Sequence, residues 1–348
     1  MVTESLAPLA PYGADDRVAT LFASFADAEL APGRIARVDR DRSVVATVDG
    51  MITATSHELP VVGDWVALRP PRAEGLPSID AILPRWSELS KRGSGPIPRP
   101  QVVAANVDVA FIVVGLDREP SPNRIERELV VAWESGARPV VVLNKSDATA
   151  DAEAEGAAVR DRIGLVDVMV VSAKTGAGID EMTAALRPGL TAVLLGPSGV
   201  GKSTLVNAIV GNDVAITGEV RESDHRGRHT TTFRSLMPVP GGGVLLDTPG
   251  VRSISLWDVE GGIALTFPEI EELVDSCRFG DCAHDSEPGC AVKEALADGR
   301  IDPARFESWD KLQRELAYEA RSIDPKLAAE EKQRWKAINK AMKGQSRP

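Results

Sequence analysis

The chain has 348 residues, of which 43% are hydrophobic and 26% charged, and its formal net charge is −11 at pH 7. These values are ordinary for a soluble globular protein of more than one domain, and no apolar run approaches the roughly 18–20 residues of a membrane span. The N-terminus does not resemble a signal peptide and all cysteines lie between positions 277 and 290, which argues against a secreted disulfide scaffold and favours a cytoplasmic protein without a membrane partner.

Residues 1–30 are expected to form an N-terminal extension with a short helix between Val18 and Leu30. From Gly33 onward, short apolar segments alternate with turn residues. Such a pattern predicts a small barrel, and five strands fit an OB-fold over residues 31–90. The predicted strands are Arg34–Asp39, Ser43–Val48, Met51–Thr55, Val61–Leu68 and Ile79–Leu83.

OB-folds often bind nucleic acid through a basic face with exposed aromatic side chains. Trp65 and Trp86 are the aromatic candidates here. The basic candidates are Arg34, Arg37, Arg40, Arg42, Arg69 and Arg72. The composition is equally compatible with core tryptophans and a solvated arginine face. Residues 84–101 are rich in Pro, Gly and Ser, which predicts a linker at 91–101 and a domain boundary.

Continuous apolar runs then alternate with helical stretches, as in a parallel sheet covered on both faces. The runs are Val109–Val114, Pro139–Leu143, Val168–Ser172 and Ala192–Leu195. The predicted helices are Pro122–Gly136, Asp151–Ile163 and Ile179–Leu186. We assign this α/β domain to residues 102–260.

The segment Gly196-Pro-Ser-Gly-Val-Gly-Lys-Ser-Thr204 follows the last of these strands and fits the phosphate-binding loop motif. Its glycines allow backbone N–H groups to surround a phosphate at the start of a helix. Lys202 is expected to reach the β- and γ-phosphates, and Ser203 to ligate Mg²⁺. An ordinary glycine-rich turn is the alternative. The predicted nucleotide contacts are Gly196, Pro197, Ser198, Gly199, Val200, Gly201, Lys202, Ser203 and Thr204.

Two preceding strands end in motifs that resemble the guanine-recognition motifs of GTPases. Asn144-Lys-Ser-Asp147 supplies a carboxylate, Asp147, that accepts hydrogen bonds from the N1–H and amine of guanine, and adenine offers no donor at N1. Lys145 would lie along the base, and Asn144 would tie this loop to the phosphate loop. The second motif is Ser172-Ala173-Lys174, in which the Ala173 N–H would contact the guanine O6. A surface turn with a helix cap is the alternative.

These motifs precede the phosphate loop, which is the reverse of the usual order and indicates a circular permutation. Gly227–Thr232 is expected to form switch I, with Thr231, or Thr230, as a Mg²⁺ ligand. In Asp247-Thr-Pro-Gly250, Asp247 would hold Mg²⁺ through water and the Gly250 N–H would sense the γ-phosphate.

Many GTPases orient the attacking water with a glutamine after this glycine, but here the position is Val251. We therefore regard His229 as the candidate group for the hydrolytic water. A purely structural role for this histidine remains open.

The spacing Cys277-x4-Cys282-x-His284-x5-Cys290 predicts a closed, structural Zn²⁺ site, with free buried cysteines as the alternative. Residues 261–348 form the corresponding helical domain, with predicted helices Ala291–Asp298, Pro303–Ala320 and Pro325–Met342. After Glu331 the chain carries only basic charged residues, which fits an RNA- or partner-binding tail or a solvated helix. These residues are Lys332, Arg334, Lys336, Lys340, Lys343 and Arg347.

Together the motifs resemble the circularly permuted GTPases that act on the small ribosomal subunit, the RsgA/YjeQ family. The resemblance runs from Gly33 to about Tyr318. It rests on Val62-Gly-Asp-Trp-Val66, Ala104-Ala-Asn-Val-Asp108, Asn144–Asp147, Gly196–Thr204, Arg228–Thr232, Asp247–Gly250 and the cysteine–histidine cluster.

The resemblance implies a multidomain α/β protein with an OB-fold barrel, a central circularly permuted P-loop GTPase and a C-terminal helical zinc domain. It implies a monomer that binds GTP or GDP with Mg²⁺, docks on the 30S subunit through 16S rRNA and ribosomal proteins, and leaves after GTP hydrolysis. The resemblance also supports His229 as the catalytic histidine.

Two other functions remain open at this level. One is a GTP-dependent RNA or protein chaperone unrelated to ribosomes, and the other a zinc-bearing nucleic-acid module with an inert nucleotide site. The intact Lys202, Ser203 and Asp247 argue against the second. A P-loop kinase is disfavoured because the guanine motifs are present.

Overall fold

The structure, a computed structural model, describes residues 6–25, 29–39, 41–71, 75–93, 100–211, 235–247 and 260–323. The chain divides into two compact units, one formed by Met1–Ser90 with Val102–Ser253 and the other by Lys91–Gln101 with Ile254–Pro348. The predicted barrel and the predicted parallel sheet therefore share one unit. Among the described residues, no helix is both long enough and apolar enough to traverse a bilayer.

The first unit begins with a short 3-10 helix and with α1, followed by a closed barrel whose strand order is β1-β2-β3-β5-β4. The bounds are Ala7–Tyr12 for the 3-10 helix, Asp16–Phe22 (α1), Ala31–Val38 (β1), Ser43–Thr47 (β2), Gly50–Ser56 (β3), Trp65–Arg69 (β4) and Ser78–Ile82 (β5). A Cβ on Gly33 would lie 2.6 Å from Val45 Cγ1 and 2.8 Å from Leu68 Cδ1, so the barrel interior requires glycine there. The predicted five-stranded barrel is confirmed.

The basic face that the sequence suggested for the barrel is not observed among the described residues. Arg34 is fully buried rather than exposed, and Trp65 is a core residue with 1% of its surface exposed. The other described candidates have carboxylate partners near by: Arg37 pairs with Asp39, Arg42 with Asp41 and Arg69 with Asp80. Arg40 and Arg72 lie outside the described residues. The described arginines therefore do not form an uncompensated cationic surface.

Strands occupy part of the predicted linker. β6 (Glu88–Arg92) and β7 (Pro100–Ala105) form a two-stranded sheet. Leu89 is completely buried, which explains why this polar-looking segment is ordered. Residues 94–99, the centre of the predicted linker, are not among those described.

The predicted parallel sheet is present, with six strands in the order β10-β9-β8-β11-β13-β12. All neighbouring pairs are parallel except β12 with β13. The strands are Val109–Gly115 (β8), Arg138–Asn144 (β9), Asp167–Val170 (β10), Thr191–Leu195 (β11), Ser235–Pro238 (β12) and Val244–Asp247 (β13). The associated helices are Pro122–Glu134 (α2), Ala152–Ile163 (α3), Ile179–Ala185 (α4) and Lys202–Val210 (α5). Because parallel strands end at one edge, the loops after β8, β9 and β11 meet there.

Residues 260–323 of the second unit are mainly helical. Its helices are Glu260–Thr266 (α6), Pro268–Val274 (α7), Ala291–Ala297 (α8) and Pro303–Ile323 (α9), of which the first two were not predicted. Much of its buried apolar surface comes from Phe267, Ile270, Val292, Trp309 and Leu312. The predicted helix Pro325–Met342 and the basic tail lie outside the described residues.

Candidate functional site

The phosphate loop joins β11 to α5. Gly196 has φ = +128°, and a Cβ on it would lie 2.4 Å from the Val113 carbonyl oxygen, so no side chain fits at this position. Lys202 Nζ donates hydrogen bonds to the carbonyl oxygens of Gly196 (2.7 Å) and Pro197 (2.6 Å). The ammonium group is therefore held against the loop where a phosphate would add negative charge. Several predicted contact residues are exposed at the surface of this loop: Ser198, Gly199, Ser203 and Thr204.

Asn144 connects the two predicted base loops to the phosphate loop. It is 1% exposed at the end of β9. Its Nδ2 donates to the Val200 carbonyl at 2.9 Å, and its Oδ1 accepts from the Ala173 N–H at 3.0 Å. One buried amide thus holds three loops in register, and the Ala173 N–H that the sequence assigned to guanine O6 is engaged with Asn144 in this structure.

The Asp147 carboxylate is prepared to accept hydrogen bonds. Ser172 Oγ donates to Oδ1 at 2.6 Å, and Lys174 Nζ lies 3.3 Å from Oδ2. The Ser172 hydrogen bond, with a further contribution from Lys174, lowers the pKa of Asp147 below its usual range. The group is therefore ionised at neutral pH, as an acceptor for the N1–H and amine of guanine must be.

Two carboxylates near this site were missed by the sequence motifs. Asp117, in the loop after β8, lies 2.9 Å from Lys145 Nζ, and this hydrogen bond lowers the pKa of Asp117. Burial raises the pKa of Glu128 on α2, while the charges of Arg124 and Lys202 act to lower it. Neither carboxylate belongs to a phosphate- or base-binding motif, so only their positions in the fold identify them.

A cavity of about 430 Å³ lies beside the base loops. Its walls come from the loop after β8, from Pro122 and Ile125 of α2, from Ala148 and Thr149, and from α3. They include Asp117 but no residue of the phosphate loop. The predicted nucleotide contacts therefore lie along the open edge of the sheet and not in this cavity.

Several predicted site residues cannot be placed. His229, Thr230, Thr231 and Gly250 lie outside the described residues. Asp247 is the last residue of β13, so its backbone is described but its side chain is not. The strand pairing between β13 and β11 nevertheless brings the start of the Asp247–Gly250 motif beside the strand that leads into the phosphate loop.

The predicted zinc ligands converge in the second unit. The ligand atoms of Cys277, Cys282, His284 and Cys290 all lie within 4.8 Å of one another. Cys290 caps the start of α8, where its Sγ accepts from the Lys293 N–H at 3.5 Å. Cys282 and His284 are in the loop before it. This loop is shaped by Glu287, whose carboxylate accepts three backbone N–H groups, those of Ala283, Asp285 and Ser286.

The spacing of these ligand atoms fits a tetrahedral ion. Zinc bonds of about 2.3 Å to sulfur and 2.0 Å to nitrogen place two sulfurs about 3.8 Å apart and a sulfur and nitrogen about 3.5 Å apart. Here Cys277 Sγ is 3.9 Å from Cys290 Sγ, and His284 Nδ1 is 3.7 Å from Cys277 Sγ and 3.4 Å from Cys290 Sγ. The Cys₃His group can therefore hold a zinc ion with little rearrangement.

Comparison with known proteins identifies close relatives along most of the chain. A family model described as RsgA GTPase matches residues 82–257. A small ribosomal subunit biogenesis GTPase RsgA from Opitutus terrae is 45% identical over 97% of this chain and 98% of its own length. The protein of the same name from Streptomyces avermitilis is also 45% identical, over 94% of this chain and 91% of its own.

Two solved structures also match most of the chain. YjeQ from Thermotoga maritima matches with a TM-score of 0.62 and 30% identity, over 82% of this chain and 98% of its own. YloQ, whose description is a circularly permuted GTPase, matches with a TM-score of 0.61 over 84% of this chain and 96% of its own. At 23% identity, the second match is evidence for the fold alone.

Proposed function

The chain belongs to the RsgA family of circularly permuted GTPases, and from that premise we propose that it hydrolyses GTP in the biogenesis of the small ribosomal subunit. The relatives that support this proposal carry that function in their names and match nearly the whole chain. GTP hydrolysis is the activity of the family.

The observation that best supports a GTP site is the position of Asn144. Its side chain bonds the phosphate loop at Val200 and the second base loop at Ala173, so the predicted phosphate and guanine contacts are held within one rigid frame. Asp147, ionised and oriented by Ser172, supplies the acceptor that selects guanine over adenine.

The remaining residues of the phosphate site have separate roles. Lys202 binds the β- and γ-phosphates, Ser203 and Thr231 ligate Mg²⁺, and Asp247 holds the ion through water. The Gly250 N–H senses the γ-phosphate. Ser203, Thr231 and Asp247 are the residues that would hold Mg²⁺, and the ion would supply charge neutralisation at the phosphates. The protein's part is to position these groups.

Hydrolysis also needs a group that positions water. Because residue 251 is valine, we assign that role to His229, whose neutral imidazole can orient or deprotonate the water. We expect slow intrinsic turnover that rises when the protein docks on its partner subunit.

The partner is the 30S subunit, through 16S rRNA and ribosomal proteins, and the protein acts on it as a cytoplasmic monomer. GTP hydrolysis then releases the protein. The acidic net charge of −11 limits non-specific binding to RNA. Recognition therefore depends on local surfaces and on basic protein partners as well as on rRNA.

GTP turnover by the purified protein tests this function, measured alone and with 30S subunits, with 50S subunits and ATP as controls. We expect slow hydrolysis that 30S subunits stimulate many-fold, with GTP only. Lys202→Ala should abolish turnover in both conditions. Turnover that does not change when 30S subunits are added would contradict the ribosomal assignment. Turnover of ATP at the same rate as GTP would contradict the guanine site.

A further inference from the structure

Lys145 has a partner that the base-recognition motif does not contain. Lys145 Nζ lies 2.9 Å from Asp117 Oδ2. Asp117 stands two positions after the last residue of β8, and Lys145 directly follows the last residue of β9. The ion pair therefore bridges the ends of two adjacent parallel strands at the edge where the nucleotide site lies.

Packing around Gly115 fixes this arrangement. A Cβ at Gly115 would lie 2.6 Å from Asp117 Oδ1, 3.6 Å from Lys145 Cδ and 3.5 Å from Val200 Cα. The carboxylate, the lysine stem and the phosphate loop thus converge on Gly115, and a side chain at this position would displace the Asp117 carboxylate. Lys145 itself has φ = +66°, an uncommon conformation for a residue with a side chain.

We propose that Asp117 is a positioning residue for guanine nucleotide binding, which holds the Lys145 stem in the place where it covers the base. This inference rests on the proposed function, because Lys145 is expected to lie along the base only if the Asn144–Asp147 loop binds guanine. A lysine side chain is long and flexible, so anchoring its end before the nucleotide arrives reduces the entropy lost on binding.

The exposure of the pair separates this role from a structural one. The side chains of Lys145 and Asp117 are 29% and 36% exposed, and ion pairs of this kind contribute little to folding stability. Loss of the Asp117 carboxylate should therefore reduce nucleotide affinity and leave the unfolding temperature of the nucleotide-free protein unchanged.

A double-mutant cycle on the full-length protein tests the proposal. GDP dissociation constants and unfolding temperatures are measured for Asp117→Ala, Lys145→Met and the double variant. Asp80→Ala is the matched control, since Asp80 pairs with Arg69 at 2.9 Å at similar exposure on the barrel. We expect each site variant to weaken GDP binding by about three- to fivefold, and the double variant to bind no more weakly than Lys145→Met.

The outcomes distinguish the inference from the function on which it rests. If Lys145→Met binds GDP as the wild type does, the lysine needs no anchor and the inference is wrong, whereas the proposed function is contradicted only by turnover that does not distinguish GTP from ATP or does not respond to 30S subunits. If Lys145→Met weakens binding but Asp117→Ala does not, or if the two effects add, only the positioning role is overturned. A lower unfolding temperature for Asp117→Ala together with additive effects on binding would identify Asp117 as a structural residue instead.

Discussion

Arg34 and Thr191 join the barrel to the strand that leads into the phosphate loop. Arg34 Nη2 donates to Thr191 Oγ1 at 2.8 Å, across 157 positions of the chain. The other guanidinium hydrogen bonds go to the carbonyl oxygens of Gly63, Tyr12 and Asn106. Burial lowers the pKa of Arg34 to about 10, so the group remains charged at neutral pH. Barrel and sheet therefore share a buried, charged junction.

Arg34→Met should destabilise the first unit strongly. Methionine fills part of the volume but leaves the buried carbonyl groups and the Thr191 hydroxyl without their donor, which should cost about 3 kcal/mol or more. Urea unfolding followed by tryptophan fluorescence measures the change, since the Arg34 guanidinium lies 5.1 Å from the Trp65 ring centre.

Arg37→Met is the matched control on the same strand. Arg37 pairs with Asp39 at 3.1 Å and its side chain is 36% exposed, so the change should cost less than about 1 kcal/mol. Equal destabilisation by the two substitutions would contradict the role of the junction.

Asp147→Asn should change nucleotide selectivity. The amide replaces an acceptor for the guanine amine with a group that can donate to the xanthine O2, so GTP affinity should fall on the order of a hundredfold or more while XTP affinity rises. Competition of GTP and XTP for a fluorescent nucleotide measures both. Retained preference for GTP would show that Asp147 does not contact the base.

His229→Ala should separate binding from hydrolysis. GTP affinity should be retained, whereas 30S-stimulated turnover should fall by about 10²–10⁴-fold, the contribution of a positioned general base. His225→Ala removes another histidine four positions earlier in the same segment and serves as the control. Normal stimulated rates in His229→Ala would exclude this histidine as the water-positioning group.

Cys282→Ser should release zinc and unfold the helical part of the second unit. The free energy of zinc binding contributes directly to folding in a site of this kind, and among residues 275–290 only Cys290 is buried. Metal content and the circular dichroism signal at 222 nm measure the two effects. Asp281→Asn, an exposed neighbour, is the control, and one zinc per chain in Cys282→Ser would disprove the ligand assignment.

Much of the fold could be predicted because its signals are local. Apolar runs such as Val109–Val114 and the alternating segments of the barrel each lie within a few residues of the observed strands. The four predicted zinc ligands also come together, since their spacing alone restricts them to one short loop and a helix start.

The features that could not be predicted depend on distant parts of the chain. The sequence around Arg34 suggests an exposed strand residue, and only Thr191, Asn106 and Tyr12 explain how a guanidinium can be buried there. Likewise, nothing near Leu89 signals that strands extend into the predicted linker. Asp117 belongs to no motif, and its relation to Lys145 follows only from the adjacency of β8 and β9.

The position of β11 between β8 and β13 has a consequence for folding during synthesis. A nascent chain emerges N-terminus first, so the barrel and the base loops are complete before the phosphate loop exists. Until Thr191 has left the ribosome, the guanidinium of Arg34 lacks that acceptor. The phosphate loop follows β11, and Thr231, Asp247 and Gly250 follow later still, so a chain whose synthesis has stopped before them cannot form the proposed GTP site.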